Sequence, residues 1–181
     1  MILNSKNNNY IISFPKNFLY STVQDRYWPM LKRLPLPYDS ITDYMNASIQ
    51  QFSFPGVNAE NVEQTLYEDK VQWKGAYRLG KLMSKDFDMT FKSYEGYINY
   101  WMMHDQFREF LAYDNKEEFL PNLTLSFLDQ DGFELISIVF KQITMTSISE
   151  LELNFSSNTS EFQQFTCGFH YNYMEIKNRL D

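Results

Sequence analysis

The sequence predicts a mainly β, α+β fold: a sandwich or barrel of about eight strands with one main helix. Three observations predict it. Phe87, Met89 and Phe91 alternate with Asp86, Asp88, Thr90 and Lys92, the two-residue period of a strand with one buried face. Phe165, Cys167, Phe169, Tyr171 and Tyr173 repeat that period near the end of the chain. Only one long stretch, Tyr94 to Tyr113, carries the helical period, with Tyr100, Met103, Phe107, Phe110 and Leu111 on one face.

In chain order, residues 1–9 are polar and Asn-rich, and Tyr10 to Phe14 reads as a first strand stopped by Pro15. Residues 15–44 hold Pro29, Pro35 and Pro37 among Trp28, Met30, Leu34 and Leu36. That mixture is too apolar for a flexible linker and predicts an irregular, ordered arm, with Asp39 or Asp43 capping a short helical turn before Tyr44. Met45 to Phe54 is a second strand ended by Pro55-Gly56, residues 57–70 a loop and a strand start, and Val71 to Leu79 a further strand. Asp114-Asn115 and Pro121 close the helix. LTLSFLD and FELISIVFK flank Gln130-Asp131-Gly132 as a hairpin, and ITMTSIS reads as a link. Leu151 to Phe155, a polar turn at Ser156-Ser157-Asn158 and a long strand to Ile176 complete a single domain over 1–181.

The chain has 181 residues, enough to bury a real core. Its 16 Phe and 13 Tyr suit strands and interfaces, and also an aromatic core. A net charge of −7 opposes sequence-independent nucleic-acid binding, which needs cations to neutralise phosphates. Cys167 is the single cysteine and falls on an apolar strand face, so no intrachain disulfide forms and a buried thiol is expected. The N-terminus lacks the order of a secretory signal, and no run approaches a membrane span. Sequons at Asn46, Asn122, Asn154 and Asn158 read as chance products of an Asn- and Ser-rich chain.

No phosphate loop, zinc-ligand or redox motif occurs. His104 and His170 read as structural histidines. The pairs Asp86 with Asp88 and Glu150 with Glu152 put two carboxylates on one strand face; a solvated face explains them better than acid–base chemistry. No catalytic residue, metal or cofactor is expected, and the chain does not read as an enzyme.

The C-terminal stretch has an ordered pattern. Ser147-Ile-Ser-Glu150-Leu151-Glu-Leu153 opens a strand, Ser156-Ser157-Asn158 makes a turn, and Glu161 to Phe165 leads a long strand closing on Tyr171-Asn-Tyr173-Met-Glu175. With Phe52-Ser-Phe54-Pro55-Gly56, and with Asp86 to Phe91 feeding a helix, this resembles the tail tube proteins of contractile-tailed bacteriophages over about residues 45–176. The resemblance implies hexameric rings stacked into a hollow tube. Each subunit lends strands to an inner barrel, sheath and baseplate proteins are partners, and DNA passes through without specific binding. It implies assembly in the host bacterial cytoplasm, residence in the virion tail, and no membrane.

On that basis ring contacts are expected at Phe52, Phe54, Pro55, Gly56, Val57, Phe165, Phe169, Tyr171 and Tyr173, ring stacking at 57–82, and the lumen at Asp86, Asp88, Glu150 and Glu152. The insert 15–44 is longer than a simple tube subunit needs, and the aromatic ending is Tyr-x-Tyr rather than an adjacent pair. Both departures leave room for a baseplate tube or tube-initiator subunit. A secreted tube protein of a phage-like secretion machine shares the fold. A monomeric β-rich binding domain or small hydrolase is the reading from another class, and it requires a pocket with convergent polar groups.

Overall fold

The computed structural model describes residues 9–34, 37–56, 62–66, 69–73, 75, 85–112, 114–151, 153 and 163–178. The fold is β-rich α+β. In order the elements are β1 (Tyr10–Ser13), α1 (Ser21–Leu31), α2 (Ile41–Ser48), β2 (Ile49–Ser53), β3 (Val62–Leu66) and β4 (Asp69–Trp73). They continue with β5 (Asp86–Lys92), a single 3-10 turn (Glu95–Tyr97), α3 (Ile98–Phe110), β6 (Leu123–Leu128), β7 (Glu134–Ile148) and β8 (Gln164–Asn178). Six strands form one sheet in the order β1-β6-β7-β8-β5-β2, with every neighbouring pair antiparallel. β3 and β4 pair separately as a two-stranded sheet.

The aromatic residues fill the space the curled sheet encloses. Phe87 stacks on Phe169 with ring centroids 5.3 Å apart and meets Phe140 at 5.0 Å; Phe91 stacks on Phe165 at 5.1 Å. Phe14, Phe18, Met89, Leu123, Leu125 and Ile143 complete this core. Cys167 is fully buried, which pushes its thiol pKa up and keeps it protonated.

Residues 15–44 are more regular than the proline content suggests. Pro29 lies in the last turn of α1. Ser40 caps α2 by accepting from the Asp43 N–H at 3.1 Å and donates to the Asp43 carboxylate at 2.6 Å, so Asp43 is the third helical residue and not the cap. α2 continues through Ser48, and the second strand starts at Ile49 rather than Met45.

Polar side chains hold this arm to α3. Gln106 accepts from the Tyr20 N–H at 2.9 Å and donates to the Phe18 carbonyl at 2.9 Å. Asp105 lies off the stripe of Tyr100, Met103, Phe107, Phe110 and Leu111 yet is buried because α1 covers it, and Arg26 and Tyr27 both donate to its Oδ2. The apolar stripe is rotated accordingly: Tyr100, Met102 and Met103 are buried, while Leu111 is 62% exposed. Asn46, at the end of α2, meets the end of β1. It accepts from the Phe14 N–H at 2.8 Å and donates to the Phe14 carbonyl at 3.5 Å. The Asn46 sequon is therefore spent on structure.

β7 extends to Ile148, so ITMTSIS is strand and not a link. Leu151 and Leu153 lie outside any strand, and the rest of the strand expected at 151–155 is outside the described residues, as is much of the one expected at 71–79. A bulge between Met145 and Ser147 brings hydroxyls over Gly168. A Cβ there would lie 2.5 Å from Ser147 Oγ and 2.9 Å from Thr146 Oγ1, which is why glycine occupies the position.

Candidate assembly surface

The long ribbon of β7 and β8 does two jobs. Its lower half, from Ile143 to Ile148 and from Gln164 to Tyr171, joins β5. Its upper half joins β6, which in turn carries β1. Between the halves the alternation resets. Phe140 and Ile143 both face the core, as do Tyr171 and Met174, so inward residues are three apart on each strand. Gln142 sits at the reset with φ of 53°, the left-handed region, in mid-strand.

Above the reset, β1, β6, β7 and β8 make a four-stranded half-sheet. One face is apolar, with Ile12, Leu125, Ile138 and Ile176 on one rung and Leu123, Phe140 and Met174 on the next; it packs inward except at Ile176, which is 57% exposed. The other face carries Ser13, Thr124, Val139 and Glu175 on one rung and Ile11, Ser126, Ser137 and Lys177 on the next. Lys141 pairs with Glu175 at 2.5 Å across the strands, and Ser126 donates to Glu134 at 2.8 Å. Hydrogen bonding from Lys141 holds the Glu175 carboxyl below its usual range, helped by the charges of Lys141 and Lys177. This face is polar and close to charge balance.

Hydrogen-bond parity fixes the two edges of the half-sheet. In an antiparallel ladder alternate residues bond to one neighbour and the others point away. The Leu128 N–H donates to the Asn9 carbonyl, so Asn9, Ile11 and Ser13 bond β6. Tyr10, Ile12 and Phe14 then aim their backbone groups outward; Asn46 satisfies Phe14, and Tyr10 and Ile12 have no strand partner among the described residues. On β8 the Tyr171 N–H donates to Lys85, the last bond to β5. The reset shifts this parity with the side chains: Tyr173, Glu175 and Lys177 face Lys141, Val139 and Ser137 of β7 in bonded pairs, and Met174 and Ile176 continue the outward row with no strand partner among the described residues. β1 and β8 are thus both open edges, and they run antiparallel to each other.

The structure separates the residues that the sequence grouped. Phe165, Phe169 and Tyr171 are buried in the core, so their side chains hold the subunit together and present no contact surface. Tyr173 falls beyond the reset and is 63% exposed, although the simple alternation placed it with the other three. Phe52 is half-buried, and Phe54 is 45% exposed beside Phe127, ring centroids 6.5 Å apart. Pro55 is buried and Gly56 exposed; Val57 lies outside the described residues. Asp86 and Asp88 share the exposed face of β5, with Asp86 2.7 Å from His170 Nδ1. Glu150 is exposed but off any strand, and Glu152 lies outside the described residues, as does most of 57–82.

Which strands form the open edges escaped the sequence reading, because that depends on pairing, which composition does not encode. The polar face was legible in part: Thr124 and Ser126 alternate with Leu123 and Leu125. Among the described residues no cluster of His, Cys, Asp and Glu is placed to hold a metal, and no helix is long and apolar enough to cross a membrane.

No protein-family model matches the chain, and no curated protein matches it. Solved structures match it along almost its whole length. A chain of the anti-feeding prophage baseplate, from a six-fold symmetrised cryo-EM structure, is 11% identical, covers 100% of both chains and has a TM-score of 0.59. A chain of the anti-feeding prophage tube-terminating cap is 11% identical over 98% of this chain and 93% of its own, with a TM-score of 0.54. A chain of the sheath/tube terminator of an extracellular contractile injection system is 10% identical over 97% and 98%, with a TM-score of 0.52. The chain shares the tube-like fold of these assemblies, and at such identities the likeness concerns the fold alone.

Proposed function

We propose that this chain is a structural subunit of a tail-tube-like assembly, forming rings, six-membered by analogy with the symmetrised baseplate, around a channel. The carrying observation is the half-sheet β1-β6-β7-β8, open at both edges and antiparallel across them. When copies are related by rotation about an axis near the strand direction, β1 of one meets β8 of the next in antiparallel register. The contact is head-to-tail and closes on itself. Closure into a barrel removes the edges that otherwise invite uncontrolled pairing.

The polar face then lines the channel, and the lumen shifts from Asp86 and Asp88, on β5, to Ser13, Thr124, Ser126, Lys141, Glu175 and Lys177. Paired charges on such a wall do not grip phosphates, which suits passage of DNA through a phage-like tube. Stacked copies, sheath and baseplate proteins are the partners of this reading, and it needs no catalysis.

A tube-end subunit is the second reading, favoured because the similar structures come from a baseplate, a cap and a terminator. Negative-stain electron microscopy of the purified chain tests both. Long tubes of uniform bore support the first and isolated rings the second. A protein that stays monomeric at millimolar concentration, with no annular particles, sinks both.

A further inference from the structure

Each open edge of the half-sheet ends at a stop. On β1 the outward row is Tyr10 and Ile12, and the Asn46 amide closes it at Phe14. On β8 the row begins at Met174 and Ile176, just past the Tyr171 bond to Lys85 that gives the edge below to β5. A hollow of about 280 Å³ lies beside the β1 row, lined by Tyr10, Ile11, Ile12, Asn46 and Ile49, so there is room there for another chain. On β8, Ile176 is an exposed apolar side chain at the margin of an otherwise buried face.

The two rows share a face. Ile12 and Ile176 stand on one apolar rung, and Tyr10 and Met174 are two residues from them along their own strands. Residues that face each other across a ladder have side chains on the same side of the sheet. Joining these rows therefore sets apolar face beside apolar face and leaves the polar face unbroken. The opposite parity on either strand would set one face against the other.

The stops select the register. In an antiparallel pair they meet when Ile12 lies opposite Met174. A slip of one rung sets Met174 against Phe14, whose backbone groups Asn46 already holds. A slip the other way sets Ile12 against Asn172, beside the edge that Lys85 occupies.

We propose that a second copy of this chain docks on β1 in one register, with its Ile176 opposite Tyr10 and its Met174 opposite Ile12, the incoming strand filling the hollow and Ile176 packing on the Tyr10 ring. The proposal rests on the ring reading above and adds which residues meet. Each of the two pairs exchanges two backbone hydrogen bonds, and between them Ile11 faces Glu175 on the polar side.

The test uses three chains, each with Ile11→Cys and one of Glu175→Cys, Tyr173→Cys or Lys177→Cys. All four positions are exposed on the polar face, and the native Cys167 is buried. Rings are first scored by negative-stain electron microscopy under reducing conditions, and the particles are then oxidised and run on non-reducing gels. In the proposed register Ile11 and Glu175 form a non-hydrogen-bonded pair with Cα atoms about 4.5 Å apart, within disulfide reach. Tyr173 and Lys177 are diagonal neighbours at about 7–8 Å, beyond it. A ladder of covalent multimers is expected from the Glu175→Cys chain and mostly monomer from the other two. Tyr10→Cys with Ile176→Cys, against Tyr10→Cys with Met174→Cys, repeats the comparison on the apolar face should the first set assemble poorly. Rings that link through a diagonal pair, or through no pair, overturn the register and leave the ring reading standing. A parent chain that forms no rings removes both.

Discussion

Asn46 occupies the place of a strand residue opposite Phe14: its amide takes the Phe14 N–H at 2.8 Å and gives to the Phe14 carbonyl at 3.5 Å. One side chain thus ends the open edge of β1 and ties α2 to the sheet. Asn46→Leu leaves both backbone groups unpaired, and a loss of about 1–3 kcal/mol is expected in urea unfolding. Asn46→Asp keeps the acceptor and loses less.

Tyr10 and Ile11 are neighbours with opposite backbone duties. The Tyr10 N–H points away from β6, whereas the Ile11 N–H bonds it. Tyr10→Pro is therefore expected to melt within a few degrees of the parent but to lose ring formation in sedimentation velocity. Ile11→Pro breaks the ladder and lowers the melting temperature. Undiminished assembly of Tyr10→Pro removes β1 from the proposed contact.

Gly168 faces the hydroxyls of Ser147 and Thr146 at the bulge of β7. Gly168→Ala forces them apart, and destabilisation of about 1–3 kcal/mol is expected by chemical denaturation. Ser147→Gly in the same chain relieves the tighter contact and recovers part of the loss. Independent, additive effects of the two changes would contradict the clash.

Gln142 holds a left-handed conformation in mid-strand with its side chain exposed. Gln142→Gly removes the Cβ conflict at some entropic cost, and a gain of about 0.5–1 kcal/mol is expected. Gln142→Val, β-branched, moves thermal stability the other way. Stability unmoved by either change would mean the residue relaxes freely.

The Asp105 carboxyl is buried, which raises its pKa, but hydrogen bonds from Tyr27 and Arg26 and the charges of Arg26 and Arg108 outweigh burial and hold it below the usual value. A pKa lower in the folded state means stability that is full above the unfolded value near 4 and is lost as pH falls through the folded one. Asp105→Asn is expected to cost about 1–2 kcal/mol at pH 7 and less at pH 3, since Arg26 is half solvated and its share is screened. An equal loss at both values excludes the ionic contribution.

β5, the hairpin of β6 with β7 and the main helix are readable because period and turn chemistry are local. Gly132, with φ of 86°, takes the turn that Asp131-Gly132 announces. The arm was harder. Pro29 reads as a breaker but is tolerated near a helix end, and Asp105 reads as solvent-facing until Arg26, 79 residues away, is brought to it. The final strand was readable, but which of its side chains face outward was not. Phe165, Phe169 and Tyr171 alternate like a binding face yet are core, because β5 and α3 cover them. The reset at Gln142 that turns Tyr173 outward has no signature in composition.

The two longest strands among the described residues, β7 and β8, lie at the middle of the sheet, with β1 at one margin joined only through β6, more than a hundred residues later. β1-β6-β7 and β5-β2 can each pair without β8, but nothing joins these two parts of the sheet until β8 lies between them. Folding is therefore dominated by distant contacts, which makes it slow. A chain deprived of β8 leaves β5 and β7 without the strand between them, two raw margins where the complete subunit has a continuous ribbon.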